Sequence, residues 1–225
     1  KVALLIGNMH YLHHKQLKAP MVDVHALSAL LRQLDFKVVS LLDLCKAEMQ
    51  MAVNEFLLLL DKGVYGLLYY AGHGYENFGN SFMVPIDAPS SYTSAHCLCV
   101  QRVLQSMQQR HTGLNIFLLD MCRKRAQPHL HPRLSPPHVS AASLPLVNAG
   151  GGGCADAEAY ELSQGELSNG VFVTFLKHWL LEDEKITVLL DKVAEDMGTL
   201  EITRGRQALE LRSNLSERRA LTDPI

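Results

Sequence analysis

Val64-Tyr65-Gly66-Leu67-Leu68-Tyr69-Tyr70-Ala71-Gly72-His73-Gly74 begins as an apolar run and ends on a histidine between two glycines. Leu114-Asn115-Ile116-Phe117-Leu118-Leu119-Asp120-Met121-Cys122-Arg123 repeats the arrangement with a cysteine. Short continuous apolar runs closed by turn residues are the pattern of strands buried on both faces. Each string predicts a strand followed at once by a turn. One turn carries His73, the other Cys122.

The flanking sequence alternates strand and helix signals. Val2 to Ile6 is an apolar run ended by Gly7-Asn8, a first buried strand. A polar loop with His10, His13, His14 and Lys15 follows, then Pro20. Asp23 is placed to cap a helix carrying Val24, Leu27, Leu31 and Leu34 at helical spacing. Phe36 to Leu42 predicts the second strand. Met49, Ala52, Val53, Phe56, Leu57 and Leu60 form one stripe, so Lys46 to Asp61 is a helix that Gly63 stops. Val64 to Tyr70 is the third strand, and Glu76 to Pro85 suggests a hairpin around Phe82-Met83-Val84. Cys99 to Gln109 is a helix, and Leu114 to Leu119 is the fourth strand. This order gives the α/β class, with a mostly parallel sheet and helices on both faces. Such sheets bind ligands at the carboxyl ends of their strands.

Ala126 to Gly153 breaks the pattern. It holds five of the nine prolines and ends in Gly150 to Gly153. Leu144 to Val147 is a candidate fifth strand that Pro145 restricts to an edge or a strand start. Helices resume at Val171 to Leu181 and at Lys185 to Met197, the latter with a Gly198 stop. Ala208 to Arg212 reads as a final strand.

The 225 residues suit one domain, 1–225, and with a net charge of −2 nothing argues for nucleic acid or a membrane surface, so neither is expected as a partner. No apolar run approaches the roughly 18 residues of a membrane span. The abrupt start at Lys1, without Met or a signal peptide, predicts a domain excised from a longer multidomain protein. Cys45, Cys97, Cys99, Cys122 and Cys154 are odd in number and irregularly spaced, which predicts a reducing, cytoplasmic setting. Cys97-x-Cys99 lacks zinc-knuckle spacing, and His129, His131 and His138 read as a solvated loop. Dinucleotide, phosphate-loop, zinc-protease and serine-elbow motifs are missing, so neither a metal nor an organic cofactor is expected.

What remains is the histidine–cysteine pair. A thiol attacks as thiolate, and an imidazole creates that form and then protonates the leaving amine. Gly74 lets a substrate approach backbone without a Cβ in the way, and its N–H and that of Cys122 are candidate oxyanion donors. Forty-nine residues separate His73 from Cys122, close to the roughly 50 of one class of cysteine peptidase. Each residue also has a bland reading, a structural turn histidine and a small buried hydrophobe. Asp120 fits either a turn cap or a carboxylate facing substrate.

At these residues the chain resembles the cysteine peptidases of the clan that holds caspases, metacaspases and paracaspases, and most narrowly a paracaspase. The resemblance is carried by Lys1 to Asn8, by Tyr65 to Phe82 and by Phe117 to Arg125. It resumes at Cys154 to Glu158, Ser168 to Phe172, Leu180 to Asp183 and Ala220 to Ile225. It implies a caspase-like fold of about six mostly parallel strands. It implies endopeptidase activity after arginine, with His73 as base, Cys122 as nucleophile, and Asp23, Asp120 and Glu158 as the acidic pocket. A guanidinium is always charged and pairs with carboxylates through two parallel hydrogen bonds. From the residues alone, Asp23 also reads as a helix cap and Glu158 as a solvated loop carboxylate. The resemblance further implies a cytosolic signalling scaffold in the nuclear factor kappa-B pathway, adaptor partners, and a homodimer through the last strand. The prolines and glycines of 126–153 depart from the family pattern and disfavour a central strand there. A non-catalytic interaction module of the same fold is the rival reading. A calcium-activated, metacaspase-like peptidase is a second.

Overall fold

The computed structural model describes residues 1–125, 146–153, 169–200 and 207–225. The side chains of 122–125, 146–153, 207, 208 and 210 fall outside that description, as does Glu158 altogether. In chain order the elements are β1 (Val2–Gly7), α1 (Ala19–Gln33), β2 (Lys37–Leu42), α2 (Lys46–Leu58), β3 (Tyr65–Asn77), β4 (Asn80–Met83), β5 (Leu98–Cys99), α3 (Val100–Gln108), β6 (Leu114–Arg125), β7 (Leu146–Gly153), α4 (Val171–Trp179), α5 (Ile186–Thr199) and β8 (Gln207–Ser213). The main sheet runs β2-β1-β3-β6-β7-β8, with β4 joined to the edge of β3 and β5 to β4. Every pairing along the main path is parallel except β7 with β8.

Strand alternation sorts the core into two layers. Ala3, Leu5, Leu67, Tyr69, Ile116 and Leu118 pack against α1, α4 and α5. Leu4, Ile6, Leu68, Tyr70, Phe117 and Leu119 pack against α2 and α3 on the other face. The runs in β1, β3 and β6 are continuously apolar because both faces are covered.

Three sequence expectations are corrected. Pro20 sits in the first turn of α1, where its fixed φ and missing N–H cost nothing, so the helix begins before Asp23. Asp23 is therefore inside α1 and does not cap it. Secondly, β3 and β6 do not end before the histidine and the cysteine. β1 leaves β3 at Ala71, yet β3 and β6 stay paired from Tyr65↔Leu114 to Glu76↔Arg125. The overshoot persists because β4 folds back on β3 between Gly74↔Met83 and Asn77↔Asn80, supplying partners on the edge that β1 has vacated. His73 and Cys122 are strand residues, not turn residues.

Thirdly, the glycine run is the second half of a strand whose first half is central. β7 starts directly after Pro145, lies between β6 and β8, and pairs Gly150 to Gly153 with Glu210, Leu209, Ala208 and Gln207. Glycine keeps both backbone hydrogen-bonding groups; only proline removes one. Smaller shifts accompany these. α5 runs through Gly198 to Thr199. The hairpin at 76–85, the helix from Val100 and the final strand stand where the sequence put them.

Candidate active site

The overshoot of β3 and β6 builds the site. His73 and Cys122 stand at the same register on these neighbouring parallel strands, one strand spacing of about 4.8 Å apart along the backbone. Gly74 follows on β3, opposite Met83 of β4 and level with Arg123 of β6.

The His73 imidazole is held by the loop between β1 and α1. Its Nε2 lies 2.7 Å from the Lys15 carbonyl oxygen. A carbonyl only accepts, so Nε2 carries the proton and, in the neutral ring, Nδ1 carries the lone pair. The Tyr11 ring packs 4.4 Å from the imidazole, and the Tyr11 hydroxyl accepts a 2.8 Å bond from the His73 N–H. None of Lys15, Tyr11 or Tyr70 was singled out from sequence. A backbone carbonyl leaves no side-chain signal, and the tyrosines read as ordinary apolar residues.

The acidic corner lies two residues back along β6. Asp120 is level with Ala71 and only 8% exposed; Asp23 on α1 is 1% exposed. Asp23 accepts hydrogen bonds from the Gly170 N–H at 3.0 Å and from Asn169 Nδ2 at 2.8 Å. Gly170 is the residue that opens α4. Asp23 thus does serve as a helix cap, but for a helix 147 residues away, where the dipole favours an anion. Lys177 Nζ in turn donates to Asn169 Oδ1 at 2.9 Å and steadies that residue.

A Cβ added at Gly170 would lie 3.0 Å from Asp23 Oδ2 and 3.2 Å from Asp120 Oδ2. The two carboxylates therefore flank one point of backbone. Their field reaches Tyr69, whose fully buried phenol is pushed well above its ordinary range, first by burial and then by the charges of Asp23 and Asp120. Two like charges out of water are costly, and a cation between them relieves both desolvation and repulsion. Of the three expected pocket residues the structure brings Asp23 and Asp120 together. Among the described residues no cluster of His, Cys, Asp and Glu is arranged to hold a metal ion. No helix among them is long and apolar enough to cross a membrane.

Comparison with known proteins agrees with this architecture. The caspase-domain family model, of the peptidase C14 group, matches residues 1–219. The chain is 65% identical over 226 aligned residues to the mucosa-associated lymphoid tissue lymphoma translocation protein 1 of Homo sapiens, and equally so to its Mus musculus homolog. All of this chain is covered, but it spans 27% of the length of either relative. Among solved structures, Caspase-1 from Spodoptera frugiperda superposes with a TM-score of 0.72 at 14% identity. That match covers 98% of this chain and 88% of the other, and it carries the fold alone. With the mostly parallel six-strand path, the paired His73 and Cys122 register and the match along nearly the whole chain, this protein belongs to the caspase-domain family, as a paracaspase domain resembling that of the lymphoma translocation protein.

Proposed function

We propose that this domain is a cysteine endopeptidase that cleaves after arginine. The observation that carries the reading is the convergence of Asp23 and Asp120 on Gly170, two residues along β6 from the level of His73 and Cys122. An arginine side chain seated in that corner sets its own carbonyl beside the histidine–cysteine pair.

The Cys122 sulfur attacks the carbonyl carbon of the arginine while the His73 imidazole takes the thiol proton. The oxyanion is held by the Gly74 and Cys122 N–H groups. His73 returns the proton to the leaving amine as the C–N bond breaks, and a water then hydrolyses the thioester by the same route. The Lys15 carbonyl supports the imidazolium that forms in both halves. Asp23, Asp120 and Glu158 hold the guanidinium. The chemistry requires neither metal nor organic cofactor.

For the whole protein, the family resemblance supports a cytosolic signalling scaffold of the nuclear factor kappa-B pathway in immunity, with adaptor proteins as partners. It also supports homodimerisation through β8, the strand at the end of the main sheet path, since an edge strand is a ready template for pairing.

The test is hydrolysis of fluorogenic peptides that end in arginine or norleucine, with dimer-promoting salts and with a calcium chelator. The reading expects arginine peptides to be cleaved, norleucine peptides to be spared, the chelator to have no effect, and Cys122→Ala to abolish turnover. Equal cleavage of both peptides overturns the pocket. No turnover under any dimer-promoting condition leaves the non-catalytic module as the function.

A further inference from the structure

Gly72, immediately before the histidine, occupies a site closed to any side chain. A Cβ there would lie 2.5 Å from the Tyr70 hydroxyl oxygen and 2.6 Å from that of Tyr11. The space is filled by two phenol groups that reach it from different parts of the fold. Tyr70 is two residues back on β3, and Tyr11 comes from the loop after β1.

The two hydroxyls grip the backbone of His73. Tyr11 Oη accepts the His73 N–H at 2.8 Å, and Tyr70 Oη donates to the His73 carbonyl at 2.8 Å. Each hydroxyl has one proton. Tyr70 Oη lies 2.8 Å from the His73 carbonyl oxygen and 2.9 Å from that of Val84, so its proton is shared between them, while Tyr11 donates to the Val84 carbonyl at 3.1 Å. The oxygens are 3.3 Å apart. Val84 N–H also donates to His73 O at 3.1 Å, tying the same carbonyl to the residue that follows β4. Both phenols are buried, and burial holds both well above their ordinary range, so they stay neutral donors throughout the working pH.

The loop that brings Tyr11 also brings the Lys15 carbonyl, and it is itself tied down. Asp43 Oδ1 accepts the N–H groups of Met9 and His10 at 2.7 and 2.9 Å. Gln16 Nε2 donates to the Tyr11 carbonyl at 2.6 Å, and the Leu12 N–H to the Ile86 carbonyl at 3.0 Å. His73 is thereby fixed at its N–H, its carbonyl, one ring face and one ring nitrogen.

We propose that Tyr11 and Tyr70 are positioning residues for His73. Their hydroxyls, housed in the space Gly72 leaves open, fix the backbone from which the imidazole keeps Nε2 on Lys15 and turns Nδ1 to acid–base work. The proposal rests on the peptidase reading for its kinetic consequence, but its structural core does not.

Tyr11→Phe and Tyr70→Phe remove one oxygen each and keep the buried ring. For an arginine peptide, each lowers kcat about tenfold and leaves KM within about twofold, the signature of a misplaced base rather than a damaged pocket. The acid limb of the pH–rate profile moves in Tyr11→Phe. The double variant loses less than the product of the single losses, because both groups grip one residue. Gly72→Ala costs at least tenfold in the parent and less in the double phenylalanine background, where the two oxygens are gone and the ring carbon of residue 70, at 2.9 Å, is the obstruction that stays. Unchanged kcat and an unchanged acid limb in both single variants overturn the proposal. So does a rise in KM alone. The imidazole 15N resonances of His73 give a readout that needs no turnover. If the parent domain cleaves nothing, a changed His73 titration in Tyr11→Phe or Tyr70→Phe upholds the positioning role while the peptidase reading falls. Identical titrations in all three proteins sink the positioning role.

Discussion

The carboxylate of Asp23, buried within α1, accepts the backbone N–H of Gly170 at the start of α4 at 3.0 Å. One residue thus closes the acidic corner and holds a distant helix end in place. Because Asp120 Oδ2 flanks the same glycine, pocket charge and the seating of α4 are coupled, and substitutions there have consequences on both sides.

Asp120→Asn removes one pocket charge and keeps the shape. Breaking one member of a buried charge pair in a complex costs about 2 kcal/mol or more, roughly thirtyfold. The expected outcome is a rise of that order in KM for an arginine peptide, with a smaller change in kcat. Steady-state kinetics on matched arginine and norleucine peptides decide it. A kcat loss with an unchanged arginine preference contradicts the pocket.

Gly170→Ala is a steric test of the same corner. The backbone at Gly170, φ −61° and ψ 159°, suits alanine. Any penalty comes from the added methyl against the two carboxylates at 3.0 and 3.2 Å. Overpacking of this kind costs about 1–3 kcal/mol. Thermal unfolding is expected at a lower temperature, together with weaker binding of arginine peptides. An unchanged Tm and KM would show that the corner is looser than its geometry indicates.

Asp43 gives a pH dependence with a definite sign. Burial pushes its carboxyl up. Hydrogen bonds from the His10 backbone, the His10 ring and the Met9 backbone outweigh burial, so the net shift is down. A carboxyl held low in the fold binds fewer protons there than in the unfolded chain. Its stabilisation is full above the ordinary carboxylate range and is lost as pH falls through the folded-state value, below about pH 4. Asp43→Asn is expected to be less stable than the parent at pH 6, with the gap narrowing by pH 3. Denaturant midpoints across that range test it, and a constant gap refutes the linkage.

Phe117 lies fully buried on the α2 and α3 face of β6, five residues before Cys122. Phe117→Ala is expected to cost about 3–5 kcal/mol of stability through the cavity it leaves. At a temperature where the variant remains folded, its preference for arginine should match the parent's. A changed preference in the folded variant would mean that the pocket is set by packing on both faces of the sheet.

The strand and helix runs around Leu4, Leu68 and Phe117 were legible because burial on both faces leaves unbroken apolar strings, and helix stripes repeat at a fixed period. The shared level of His73 and Cys122 was legible because each follows such a string at the same offset. Asp23 was legible only in part. Its chain neighbourhood suggested a cap for its own helix, while the hydrogen bond it makes is to a helix that local sequence cannot bring near. The glycine run of β7 was misread for a related reason. Strand propensity counts side chains, whereas this run is held by backbone pairing with β8, and at Gly150 with β6 as well, which glycine supplies in full.

The sequence alone indicated the α/β order and the two core-bearing strands, and it singled out His73 and Cys122 as the candidate pair, since each depends on patterns within a few residues. Only the tertiary structure decided that β3 and β6 overshoot their neighbours, that two carboxylates meet at Gly170, and that two tyrosine hydroxyls hold the histidine. Those features join groups far apart in the chain. Their energies come from burial and hydrogen-bond geometry that exist only once the layers have packed.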